Sequence, residues 1–128
     1  MSAYERVAVD AEPAAVVDAI RAELRSRAIT QYAVVDHGHD MAAAGATAFP
    51  AWTIVFGNPA GGAKLLAQEL DAAVDIPLRL AVVGSAGGGS AIVLRDMRTL
   101  LADHPQLAEA FTAVLRETAA AARSRAQA

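Results

Sequence analysis

The chain contains no cysteine. That absence excludes disulfides, thiolate metal sites and cysteine nucleophiles. Lysine is almost absent as well: Lys64 is the only one, and arginine supplies the remaining basic charge. There is no basic surplus either, since 11 Lys and Arg stand against 14 Asp and Glu for a net charge of −3. A generic nucleic-acid binder carries the opposite balance. Aromatics are few, only Tyr4, Tyr32, Phe49, Trp52, Phe56 and Phe111, which argues against a base-stacking surface. No long apolar run occurs. The most apolar stretch, Leu78 to Leu94, is interrupted by Arg79, Gly84 to Ser85 and Gly87 to Ser90, whereas a spanning helix needs about 20 mostly apolar residues. Residues 1–10 carry Glu5, Arg6 and Asp10 with no apolar core, so no secretory signal is expected. No membrane and no nucleic acid are therefore expected as partners, and the cytoplasm is the expected compartment.

What remains is a chain of 128 residues, 55% apolar and 20% charged. It is too apolar for disorder and long enough for one domain with a real core. Tyr4 to Val9 reads as a strand. Pro13 suits a first helical turn, and Val16, Val17, Ile20 and Leu24 follow at helical spacing to about Arg27. Thr30 to Val35 and Trp52 to Phe56 read as strands rich in β-branched and aromatic residues. Asp36 to Ala44 reads as a short helix or turn. Asn58 and Pro59 are a cap and first residue for a helix to about Glu69, with Leu65, Leu66 and Leu70 expected inward. Pro77 to Val83 and Ser90 to Leu94 form a hairpin across Gly84 to Gly89. Asp96 caps a short segment, Met97 to Ala102. Pro105 opens the last helix, with Leu107, Phe111, Val114 and Leu115 expected on its buried face and 119–128 expected to fray or to help a partner contact. Strands and helices do not alternate as βαβ units. The expectation is one α+β domain, 1–128, with a mostly antiparallel sheet.

Two clusters could carry chemistry. The first is Gly57, Asn58, Gly61 and Gly62 with Lys64. A helix N-terminus offers unpaired N–H groups and partial positive charge, small residues admit a ligand to the backbone, and Lys64 adds a full charge. That suits a phosphate or carboxylate. It is not a Walker loop, because the glycine spacing differs and no Ser or Thr follows the lysine. The bland reading is a capped helix packed closely on the sheet. The second is His37-Gly38-His39 between Asp36 and Asp40. Alternate histidines could share a metal, with the neighbouring carboxylates as ligands or as hydrogen-bond partners of the ligands, but no third histidine stands near and His104 is remote. No metal is assigned, and haem would be a special case of a His37 ligand. His37 remains a candidate acid–base or ligand-contacting group. Trp52 and Phe56 share one face of their strand and read as core.

Asp36-His37 with its alanine-rich turn, then Val55-Phe56-Gly57-Asn58-Pro59, then Asp75-Ile76-Pro77-Leu78-Arg79 together resemble domain-of-unknown-function family 302. The order and spacing extend over nearly the whole chain. Ile92 to Asp96 departs from a tyrosine-containing segment often found in the family. The resemblance implies a curved antiparallel sheet covered by helices, like half of a TATA-binding protein, and frequent dimers; it implies no established reaction, and the cofactor stays unknown. The reading from sequence is a homodimeric module binding a small anion through His37, Gly57, Asn58, Gly61, Gly62 and Lys64. The alternatives are an enzyme using His37 as acid, base or metal ligand, and a non-catalytic assembly module.

Overall fold

The structure, a computed structural model, describes residues 4–128. Five strands form one sheet in the order β1-β5-β4-β3-β2. They are β1 (Tyr4–Val9), β2 (Thr30–Asp36), β3 (Ala51–Gly57), β4 (Leu78–Gly84) and β5 (Ser90–Arg95). Every ladder is antiparallel. The helices are α1 (Pro13–Ser26), α2 (His37–Ala43), α3 (Pro59–Gln68), α4 (Met97–Leu100) and α5 (Pro105–Gln127), with a 3₁₀ turn at Leu70–Asp75. The domain is α+β, as expected from the patterning.

Strand alternation decides the layers. Ile54, Phe56, Leu78, Leu80, Val82, Ile92 and Leu94 are buried on one face. They meet Val16, Ile20 and Leu24 of α1 and Ala108, Leu115 and Ala119 of α5 in one core. The other face carries no long helix. Its cross-sheet rows follow from the register. One row is Arg6, Val93, Ala81, Thr53 and Val35; the next holds Ala8, Ala91, Val83 and Ala51. Only the two-turn α2 reaches this side, where His37 bonds Thr53.

Three expectations need correction. The segment 119–128 does not fray: α5 continues to Gln127 with Ala119 and Ala122 buried. Small side chains there let α5 pack closely on α1, and Arg125 Nε donates to Glu23 Oε2 at 2.7 Å. Second, Leu70 is 75% exposed. The α-helix ends at Gln68 and a 3₁₀ turn follows, so the 3.6-residue spacing that aimed Leu70 inward stops before it. Third, the fully buried side of α5 is Ala108, Thr112, Leu115, Thr118, Ala119 and Ala122. Leu107, Phe111 and Val114 are only partly buried beside it.

The end of α1 is a Schellman turn. Ile29 N–H donates to Leu24 O and Ala28 N–H to Arg25 O, and the residue in the left-handed position is Ala28, with φ 54°. Glycine takes that position without the Cβ penalty. Ala28→Gly is expected to stabilise the protein by roughly 0.5–1 kcal/mol after the entropy cost of glycine, measured by urea unfolding.

Glu23 sits between Arg125 and Arg27 and accepts hydrogen bonds from both. Arg125 first, then Arg27, holds its carboxyl below the ordinary value of 4.5. A depressed folded pKa stabilises above the unfolded pKa and is lost as pH falls through the folded one. Glu23→Gln is therefore expected to lower the melting temperature at pH 7 and to shrink the further drop seen below about pH 4.5. Parallel melting curves of the two proteins from pH 7 to pH 3 check this.

Candidate functional site

The sheet is forked. Strand β4 begins at Leu78 and β5 runs to Arg95, yet their ladder spans only Ala81↔Val93 to Gly84↔Ser90. Beyond Ala81 and Val93, β4 stays paired to β3 as far as Leu78, and β5 stays paired to β1 as far as Arg95. The two halves of the sheet thus part at one end. A cleft of about 300 Å³ occupies the opening. Arg79 stands on one side, Arg95 and Tyr4 on the other, Thr53 at the rim, and Met97 and Leu115 further in.

The electrostatics of this cleft are unbalanced. Four arginines are ion-paired elsewhere: Arg27 and Arg125 on Glu23, Arg98 on Asp96, Arg116 on Glu5. Among the described residues no carboxylate lies within ion-pair distance of Arg6, Arg79 or Arg95. Asp75 lines the same cleft without reaching either arginine at that distance. Arg95 lies over the Tyr4 ring at 5.2 Å from its centroid, which leaves its N–H edge for another acceptor. Two guanidinium groups lining one opening offer an anion two cationic partners. Their planar donor forks match carboxylate and phosphate oxygens.

His37 belongs to the same face. Its Nε2 shares a 2.7 Å hydrogen bond with Thr53 Oγ1, and Thr53 lines the cleft. Local structure fixes the ring. Asp36 caps α2 by accepting from His39 N–H at 2.9 Å. Gly38 lets the chain press against the following loop, since a Cβ there would stand 2.9 Å from Phe49 O. His39 is exposed. Among the described residues no group of three or more His, Asp or Glu is arranged to hold a metal ion.

The other sequence candidates lie elsewhere. Gly57, Asn58, Gly61 and Gly62 line a separate apolar cavity. Lys64 lines a third hollow with Gln68, Asp103, His104 and Gln106. Hence the structure does not bring Lys64 to the glycine turn, and His37 is with neither. Asn58 does cap α3, its Oδ1 accepting from Ala60 N–H at 3.0 Å. Arg79 and Arg95 were not among the sequence candidates. The available signal was parity: in Leu78-Arg79-Leu80 the arginine must face away from two core leucines.

These features define a two-layer α+β protein with helices on one face of a split antiparallel sheet and a charged opening on the other. The chain belongs to the DUF302 family, described as a domain of unknown function, whose profile matches residues 5–124. A crystal structure of an uncharacterized conserved DUF302 protein from Bacillus stearothermophilus is similar in fold, with a TM-score of 0.81 at 18% sequence identity. The alignment covers 98% of this chain and 99% of that one. No curated protein matches the chain.

The cap makes a direct prediction. Asn58→Ala is expected to cost about 1 kcal/mol, the usual loss of an N-cap, with the unfolding midpoint in urea as the measurement.

Proposed function

We propose that the chain is a homodimeric binding protein for a small anion, and that the anion sits in the fork between β4 and β5. The observation that carries this reading is the pair Arg79 and Arg95, flanking one cleft without an ion-paired carboxylate. A phosphate or carboxylate there gains charge-assisted hydrogen bonds. His37, linked to the rim through Thr53, is the residue through which ligand contact or proton transfer would run, so an enzyme using His37 as acid or base is the second reading. The fork replaces the α3 turn as the anion site because Lys64 faces a different hollow.

The homodimer is supported by the sheet edges. Both β1 and β2 end the sheet, and β2 exposes Tyr32 and Val34 with no charge before Asp36. Such an edge is protected when it meets another chain.

The experiment is calorimetric titration with inorganic phosphate, pyrophosphate and citrate, beside light scattering of the eluted protein. At least one of these anions is expected to bind saturably, and Arg79→Gln or Arg95→Gln to weaken it tenfold or more, matching a lost charge-assisted bond of about 1.5–3 kcal/mol. Lys64→Ala is expected to leave it unchanged. Binding lost in Lys64→Ala and retained in both arginine variants would return the site to α3. A mass near 13.2 kDa rather than twice that would remove the dimer.

A further inference from the structure

We infer that the chain has a second binding site, for a small uncharged apolar molecule such as a one- or two-ring aromatic. It lies where the end of β3 and the start of α3 meet α5. The cavity there measures about 280 Å³. Ile29, Tyr32, Ile76, Phe111 and Val114 form most of its wall. Among its lining residues the Tyr32 phenol is the only ionisable group.

Glycines set how closely the walls approach. A Cβ at Gly57 would stand 3.6 Å from the Tyr32 ring, and one at Gly61 would crowd Phe111 at 3.3 Å. A Cβ at Gly62 would reach Ile76 at 3.6 Å. Glycine at the end of β3 and the start of α3 thus lets the backbone itself serve as one wall, directly against these three side chains. The walls come from separate parts of the chain, β2, β3, α3, α5 and the segment before β4, so the space is preformed by the fold.

Size and charge select the occupant. An apolar cavity of about 150 Å³ is enough for benzene, so this one accommodates a larger ring system or a short alkyl chain. A helix, about 10 Å across with its side chains, does not fit. An anion would be stripped of water against apolar walls with no cation to meet it, at a cost of several kcal/mol. A neutral apolar ligand instead gains roughly 25 cal/mol per Å² of surface withdrawn from water. The residues that suggested an anion site by their glycines and helix start thus border a space suited to an uncharged guest. This site is distinct from the charged fork, although Pro77 and Leu78 border both.

The test uses N-phenyl-1-naphthylamine, an uncharged aromatic fluorophore, titrated into the full chain. Saturable enhancement with one probe per chain is expected. Ala110→Phe, at an exposed position on the rim, and Val114→Phe, in the wall, are each expected to weaken the probe at least tenfold. Arg123→Phe adds the same ring to an exposed position of α5 outside the cavity and is expected to change nothing. Circular dichroism identifies a variant that fails to fold, and Ala110→Phe decides the matter if Val114→Phe does. Unsaturable binding, or equal binding by Ala110→Phe and the parent chain, would overturn the inference. So would dissociation of an oligomer by the probe or by Ala110→Phe, because the cavity would then seat a second copy. Failure here leaves the phosphate, pyrophosphate and citrate titrations of the fork unaffected.

Discussion

Everything in this molecule follows from a sheet that buries only one face against long helices. The pleat sends Leu78, Leu80 and Val82 toward α1 and α5. The residues between them, Arg79, Ala81 and Val83, must then face the other way. An unpaired arginine on the helical side would cost several kcal/mol in desolvation. The outward face therefore holds small apolar residues beside Arg6, Arg79 and Arg95, which no carboxylate among the described residues pairs. Rows such as Ala8, Ala91, Val83 and Ala51 provide a shallow floor. Arg79 and Arg95 rise at one end of it.

The fork in that sheet has a physical origin in the junction after β5. Asp96 caps α4, accepting from Arg98 N–H at 2.9 Å. The Arg98 guanidinium beside it holds the Asp96 carboxyl down at about 2. Next, Met97 N–H donates to Thr112 Oγ1 at 3.0 Å, and the Met97 side chain is buried in the core. These contacts draw the end of β5 toward α5 and away from β4. Arg116 of α5 reaches Glu5 of β1, so β1 follows β5. Each ladder bond forgone is worth about 1 kcal/mol net. Burying the Met97 side chain contributes about 1.5–3 kcal/mol, and the Thr112 bond adds to it. Packing on the helical side thus offsets ladder bonds forgone at the split.

How much of this was legible from sequence depends on the range of the interaction. Local chemistry was readable. Asn58-Pro59, Asp96 and Pro105 mark helix starts, β-branched and aromatic residues mark β2 and β3, and weak alternation marks β1. The tail was misread because alanine has little area to bury. Its effect here is steric, letting α5 approach α1, and the bond from Arg125 to Glu23 joins residues 102 apart. Leu70 was misread because a change from α to 3₁₀ geometry breaks the helical spacing. His37 stood out through its alternation with His39 between Asp36 and Asp40, although its partner Thr53 lies a strand away. Arg79 and Arg95 were visible as residues. Their pairing across a fork was not, because a missing stretch of ladder leaves no mark in either strand.

The same geometry separates two kinds of surface that sequence proximity had merged. The glycine turn and Lys64 lie within eight residues, yet a helix carries the lysine round to another hollow with His104. Without that charge the turn borders an apolar space. Arg79 and Arg95, by contrast, are 16 apart in sequence and line one cleft. Pro77 and Leu78 form the partition, bordering the charged fork on one side and the apolar cavity on the other. The two spaces thus share a wall while differing in the chemistry they offer, cationic side chains in the fork and apolar surface beside α3.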